Sequence, residues 1–489
     1  MEKNYLSRVV LIVLAVVLVL LGLYWLPTWS VGDWTMRKVD LLADIRSDSA
    51  VNELLLHDSI AGKTLLENDS NARLAHSDSS QNLHILEGSR LTRDKHGNLV
   101  TLEDSIINAK AEVTEKRSGV TSIIDMSNGA AGGMAAFYNA LAQAQNRPVR
   151  IAVLGDSFIE GDILTGKLRE LLQQRFGGEG VGFLPMTSIT ADFRRSVKQN
   201  FGGWTQHKAV DRNGYALTFN NITGNYFTAG PGAWVSAKGL STPYPHAASC
   251  TSSSFYFVNG TGSGYATAVV NGTDTTIFSL QSQSGLIGHA IVRGASINSV
   301  RWTVSNPGSM VFLGTSMDCD HGVIVDNLSL RSSRGSHLSK IQAGMMSAFN
   351  QVRHYDLVII MYGLNVAGKQ NSEFTAYCNT LTSAINNIKS NMPGTSVLMV
   401  GCSDREERTA SGWHTMKGVL GLIQAQKRVA INCDVAFWDL YEAMGGEGSI
   451  VNMVRNGEAN SDYTHINHKG GDRIARYLYD ALILGFENR

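Results

Sequence analysis

The chain has 489 residues, with 42 basic and 42 acidic side chains that cancel, and it carries 49 glycines, 8 prolines and 5 cysteines. Zero net charge excludes a protein drawn to nucleic acid or anionic lipid by its overall field, and five cysteines are too few for a disulfide scaffold. With 43% hydrophobic and 17% charged residues the chain is no disordered polymer or coiled coil, and its length allows about three structural units.

The first unit points to a membrane. From Val9 to Leu26, 18 residues run without a charge. At 1.5 Å per residue a helix of that length reaches roughly 27 Å, enough for a hydrocarbon core. Lys3 and Arg8 precede the run, and Tyr24, Trp25 and Trp29 stand where an interfacial aromatic belt lies. The pattern predicts a single-pass transmembrane helix within residues 1–29, uncleaved because no A-x-A site follows its long apolar stretch. The N-terminus then faces the cytoplasm, and the rest of the chain lies in the periplasm, tethered to the inner membrane. Residues 30–130, rich in Asp, Ser, Asn and Lys, read as a polar spacer with some helix.

From about residue 131 strand and helix patterns alternate. Short apolar runs bounded by turns occupy Val149–Leu154, Val323–Leu330, Leu357–Tyr362, Val397–Val400 and Val435–Trp438. Helical spacing links Phe374, Tyr377, Cys378, Leu381, Ile385 and Ile388. A second helical face carries Ile163, Leu164, Leu168, Leu171, Leu172 and Phe176, closed by Gly177-Gly178. Such alternation predicts an α/β domain with a parallel sheet covered on both sides, over 131–199 and 321–489. One interval breaks the rhythm. Between Asn213 and Val292, eighty residues hold two charged side chains, Lys238 and Asp274, among Gly, Ser, Thr and aromatics. It predicts a β-sandwich of jelly-roll type inserted at 200–320.

Ligands of an open parallel sheet bind beyond the carboxyl ends of its strands, so the residues after each run matter most. The first run ends in Gly155-Asp156-Ser157, just ahead of a helix. A serine at such a turn exposes its hydroxyl near a helix N-terminus, which favours developing negative charge. A serine nucleophile needs a base, and the base needs a carboxylate to fix its tautomer. Asp462, three residues before His465 and just ahead of the last helix, supplies both.

GDS after the first strand and DxxH before the final helix resemble the SGNH (GDSL) hydrolase superfamily. Its four blocks are matched by LGDSFIEGD with Ser157, by Gly335 in VDNLSLRSSRGSHL, by Gly363-Leu364-Asn365, and by Asp462-Tyr463-Thr464-His465. The resemblance covers about 131–489 without the insert and implies a three-layer, flavodoxin-like α/β/α fold. It further implies Ser157, Asp462 and His465 as the catalytic triad, with an oxyanion hole made by the N–H groups of Ser157 and Gly335 and the amide of Asn365. Where the family pattern has Asp after the asparagine, this chain has Val366. An insert between the first two blocks is similar to peptidoglycan O-acetyl esterases of Gram-negative bacteria. FGGEGVGFLP, CSDREER and AFWDLYEAMGG resemble membrane-anchored Bacteroidota members of the superfamily.

The resemblance implies an ester hydrolase that needs no metal or cofactor and acts on acetylated polysaccharide or peptidoglycan. Two rivals stand beside it. The same triad serves O-acetyltransferases, which would draw acetyl from a membrane O-acyltransferase partner. A non-catalytic glycan binder would need none of the triad. Asp404, Arg405 and Glu406 follow the fourth strand and are candidates for sugar contact or for a surface ion-pair cluster. Trp204, Tyr226 and Trp234 in the insert are candidates for stacking on sugars or for its core. Asp318–His321 has a ligand-like pattern but reads as a turn, and no cysteine pair is assigned.

Overall fold

The computed structural model describes residues 91–93, 99–211, 213–281, 284–368 and 374–489, and a short pairing of Ser30–Val31 with Trp34–Thr35 in a separate N-terminal unit. The apolar run at 9–26 lies outside the described residues. Among the described residues no helix is long and apolar enough to cross a membrane.

Each of the five apolar runs forms a strand of one sheet. They are β2 (Pro148–Gly155), β3 (Gly322–Ser329), β4 (Tyr355–Met361), β5 (Ser396–Val400) and β6 (Ala436–Trp438), preceded in the chain by β1 (Ile124–Asp125). The spatial order is β3-β2-β4-β5-β6-β1, parallel except for the antiparallel edge strand β1. Every residue of β4 and β5 is buried, so both faces of the sheet are covered, which is why these strands read as unbroken apolar runs. The helices are α1 (Leu102–Val113), α2 (Met134–Ala142), α3 (Thr165–Phe176), α4 (Ala343–Arg353), α5 (Thr375–Asn391), α6 (Lys417–Asn432), α7 (Leu440–Met444), α8 (Ser449–Arg455) and α9 (His468–Glu487). Helices α3 and α9 pack on each other, while α4, α5 and α6 pack in series. Because β2, first of the parallel strands, lies between β3 and β4, the strand order reverses there, opening a crevice at the carboxyl ends.

Part of the stretch expected as spacer is instead built into this domain. Helix α1 lies on α6, with Asp104 to Lys427 at 2.9 Å and Glu103 to Arg428 at 2.7 Å. Besides these ion pairs it buries one large apolar side chain, Ile107, in the core, so no long apolar stripe announces it in the sequence.

Between α3 and β3 the chain makes nine antiparallel strands, from Gly182–Leu184 to Val311–Asp318. Strand Asn225–Gly239 pairs with Val311–Asp318 near its start and with Ser299–Ser305 near its end, so it belongs to both halves of the sheet. The halves fold onto one another. Phe255, in one half, meets Trp302 of the other with ring centroids 5.3 Å apart, and the Trp302 indole N–H donates to Ser253 Oγ at 3.1 Å. The sheet begins before residue 200, because Gly182–Leu184 and Val197–Lys208 join it. Charged residues around the second of these strands hide it, and one of them, Arg194, reaches out to the α/β domain.

Two buried ionic clusters seat the insert on the α/β domain. The Arg353 guanidinium, fully buried on α4, bonds Asp318 of the insert, Asp326 of β3 at 2.7 Å and the Tyr256 hydroxyl of the insert at 2.9 Å. The second cluster holds Asp162, just after the GDS turn, between Arg169 at 3.2 Å and Arg194 at 3.0 Å. Burial alone would raise the Asp162 carboxyl, but the two guanidiniums and the Ser196 hydroxyl hold it far below the usual carboxylate range. All five cysteines are free and buried.

Candidate active site

The site begins at the end of β2. There Asp156 turns its carboxylate back to accept the Phe158 N–H at 3.0 Å, which bends the chain and leaves Ser157 at the tip. Behind this turn the Asn327 amide donates to the Ile159 carbonyl at 2.6 Å and to Thr165 Oγ1 at 2.8 Å. The Ser157 turn is thereby pinned to β3 and to the first residue of α3.

His465 reaches Ser157 from the loop ahead of α9, although 308 residues separate them, with Nε2 3.1 Å from Ser157 Oγ. Its Nδ1 lies 2.8 Å from Asp462 Oδ2. The other oxygen, Oδ1, accepts the backbone N–H groups of Thr464 at 3.1 Å and His465 at 3.0 Å. Burial pushes the Asp462 carboxyl up, but these donors and the imidazole outweigh it and hold the group below its ordinary value. A carboxylate at Nδ1 fixes that proton, so the Nε2 lone pair faces the serine hydroxyl. Ser157, His465 and Asp462 therefore form a continuous relay able to activate an alcohol nucleophile.

The resemblance implied three oxyanion donors, and the structure places them differently from one another. Among the described residues, the Ser157 N–H has no hydrogen-bond acceptor. The Asn365 amide sits in the loop after β4 and donates to Asp156 Oδ2 at 3.0 Å and to the Ser333 carbonyl at 3.1 Å. Gly335 does not offer its N–H to the crevice: the group donates to Ser333 Oγ at 3.0 Å. Backbone geometry explains the glycine itself. Its φ is +82°, and a Cβ there would stand 2.8 Å from the Tyr362 ring.

Asp156 was not singled out by the sequence beyond its place in GDS. It is almost wholly buried, and burial raises its carboxyl to about 6 against the N–H and amide donors around it. Its Oδ2 accepts the Asn365 amide and so holds that side chain in the loop after β4. The residue after Asn365, Val366, forms a tight turn through its N–H to the Gly363 carbonyl at 2.8 Å.

The chain matches no protein-family profile and no curated protein. It does match a solved structure of a peptidoglycan O-acetylesterase, at 22% identity and a TM-score of 0.62, over 75% of this chain and 99% of that one. The two share a fold. Family two carbohydrate esterases from Cellvibrio japonicus and Clostridium thermocellum also match, at 9% and 12% identity over 60% and 58% of this chain and 99% and 100% of theirs. Both TM-scores are 0.25, too low to bear on this protein.

Between the α/β domain and the insert lies an open cavity of about 350 Å³. Glu160, Arg331 and Ser332 line it from one side, and Gln206, Lys208 and Asn225 from the other. Glu160 links this lining to the Ser157 turn, its N–H donating to the Ser157 carbonyl at 3.4 Å.

The other sequence candidates fall elsewhere. Asp404 is not a rim contact: it is fully buried and accepts from Thr415 Oγ1 at 2.8 Å, Ser449 Oγ at 3.2 Å and the Ile450 N–H at 3.0 Å. Arg405 is half-buried and donates to the Leu364 carbonyl, next to Asn365, at 3.1 Å. Trp204 is part of the insert's packing: its ring meets Phe312 at 5.3 Å and its N–H donates to the Trp234 carbonyl. Trp234 stacks under Arg301 at 3.7 Å, and Tyr226 is buried against His207 at 4.5 Å. Tyr226 is drawn inward by its large apolar area, whereas Trp204 is half-buried and Trp234, between the buried Ala233 and Val235, lies on the other face of its strand beneath Arg301. Asp318 of the ligand-like pattern is spent on Arg353.

Glu406 is the other acid of that stretch, buried at the base of a hairpin formed by Glu406–Thr409 and Gly412–Thr415. Burial, then the charges of Asp404 and Glu447, raise its carboxyl to about 7. A folded value above the unfolded one near 4.3 means that this group's stabilising contribution is present at low pH and lost as pH rises through 7. Glu406→Gln removes that loss. The variant should melt about 1–3 °C above wild type at pH 8 and level with it at pH 4, measured by calorimetry.

Proposed function

We propose that this protein is a serine esterase of the SGNH type that removes acetyl or other short acyl groups from cell-envelope or dietary polysaccharide. The observation that carries the reading is the unbroken relay Ser157–His465–Asp462 at the switch point of the sheet, with contacts of 3.1 and 2.8 Å. His465 takes the proton of Ser157 as its Oγ attacks the ester carbonyl, and Asp462 stabilises the imidazolium. The oxyanion is received by the Ser157 N–H, and by Asn365 as one amide hydrogen moves from the Ser333 carbonyl to the new alkoxide. His465 returns the proton to the leaving sugar hydroxyl. Water, activated by the same imidazole, then clears the acyl group from Ser157.

Solvent exposure favours hydrolysis over transfer. The side chains of His465 and Asp462 are 38% and 49% exposed, so water has direct access to the base. The cavity between domain and insert is where the glycan lies, its hydroxyls met by the amides of Gln206 and Asn225. The N-terminal apolar run holds the enzyme at the periplasmic face of the inner membrane.

The test uses the full chain in detergent, incubated with O-acetylated peptidoglycan with and without an unacetylated acceptor glycan. Free acetate in both arms supports the esterase. Acetyl groups on the acceptor instead would support the transferase with its membrane partner, and glycan binding without turnover would support the non-catalytic reading.

A further inference from the structure

The loop that carries the base also carries an aromatic surface that the mechanism leaves unused. Tyr463 stands between Asp462 and His465, in the left-handed region at φ +53°. The indole of Trp413 stacks on its ring, with centroids 3.8 Å apart and planes 26° apart. Trp413 comes from the hairpin after β5, whose base is fixed to the same loop, because the Glu406 N–H donates to the Tyr463 carbonyl at 3.2 Å. The buried Asp404 ties the other end of the hairpin through Thr415. Trp413 nonetheless keeps 39% of its surface in solvent, a large cost for an indole that only filled space. A left-handed tyrosine, a hairpin clamped to its carbonyl and an exposed indole laid flat on its ring together make a rigid apolar plate. The plate lies two residues from the imidazole.

We infer that Trp413, backed by Tyr463, is a sugar-binding position that stacks on the apolar C–H face of a pyranose ring neighbouring the acylated residue. The inference rests on the esterase reading for its substrate. A pyranoside is the occupant that fits, since it combines a flat C–H face for the indole with hydroxyls that remain in water. Flat aromatic side chains cost little rotamer entropy to present, so the plate is formed before the glycan arrives. It lies on the β5 side of the triad, and the cavity lined by the insert lies on the β3 side. A glycan chain crossing Ser157 would be held on both sides of its ester.

The experiment compares wild type, Trp413→Ala and Trp413→Phe as full chains. The substrates are 4-nitrophenyl acetate, which has no sugar, and an O-acetylated tetrasaccharide of alternating N-acetylglucosamine and N-acetylmuramic acid. The ratio of kcat/KM for the tetrasaccharide to that for the small ester should fall about tenfold in Trp413→Ala, mainly through KM, and be largely restored in Trp413→Phe. In a Ser157→Ala background, titration calorimetry with the same tetrasaccharide should show binding weakened by a similar factor on adding Trp413→Ala. An equal fall in kcat on both substrates would overturn the inference, because the stack would then serve only to hold the triad loop. An unchanged ratio with unchanged binding would overturn it too. The titration needs no turnover, so it reads the sugar position even if wild type releases no acetate, an outcome that counts against the esterase reading alone.

Discussion

Ser157→Ala should lower acetate release by at least about 10⁴-fold while leaving fold and glycan binding in place. The size follows from the chemistry. The relay has no second hydroxyl in line with His465, whose Nε2 faces Ser157 Oγ at 3.1 Å. Removing that oxygen leaves the imidazole with only a water to activate, without an acyl-enzyme to split the barrier in two. Asn365→Ala acts on a different step and should cost less, roughly 10²–10³ in kcat, since the Ser157 N–H remains to meet the oxyanion. Both are read by acetate release under saturating substrate, with circular dichroism as the check on folding. Full activity in Ser157→Ala would remove the esterase proposal altogether.

The largest effect on stability is expected from Arg353→Met. The guanidinium is fully buried between Asp318 and Asp326, and Asp326 also accepts the Tyr355 hydroxyl at 2.7 Å and the Phe183 N–H at 2.8 Å. Burial raises the Asp318 carboxyl, but Arg353 and Arg150 outweigh it and hold the group below its ordinary value. Methionine keeps much of the volume and none of the charge, leaving two buried carboxylates facing each other. Loss of one partner from such a cluster costs about 3–5 kcal/mol. The expected result is a urea midpoint well below wild type at pH 8, with part of the deficit recovered at pH 5. Recovery at low pH has a definite sign: without Arg353 the acids rise above their unfolded values, so protonation favours the folded form. An unfolding free energy within about 1 kcal/mol of wild type at pH 8 would show that the cluster does not hold insert and domain together. Asp318 and Tyr256 come from the insert, Asp326 and Tyr355 from the sheet, so this one guanidinium sets their relative placement.

Strand, helix and triad were legible for physical reasons. A parallel strand buried on both faces is mostly apolar, so β4 and β5 stand out as runs, with the buried Asp356 and Ser396 near their starts tolerated because each is hydrogen-bonded. The nucleophile turn and the base–acid pair are each local: Asp156 caps the turn it belongs to, and Asp462 bonds its own loop three residues on. Local hydrogen bonds leave short motifs. Gly335 shows the limit, because the sequence says that a glycine is needed there but not whether its N–H faces the crevice or Ser333.

Composition and charge, taken by themselves, placed an apolar run at the N-terminus, an alternating α/β region and a charge-poor β insert, because burial on two faces, on one stripe or in a turn-rich sandwich each selects a different residue pattern. Only the tertiary structure decided which polar residues serve the site. Asp404, a rim candidate by position, is sunk beneath the hairpin, while Asp156, marked only by its place in GDS, accepts from the Asn365 amide, and Trp413, which no pattern marks, stacks on Tyr463 in the His465 loop. The reason is that hydrophobic periodicity reports how far a side chain is from water, whereas a catalytic or binding role depends on which distant loops converge. His465 meets Ser157 across 308 residues, and that meeting is set by the order of the strands.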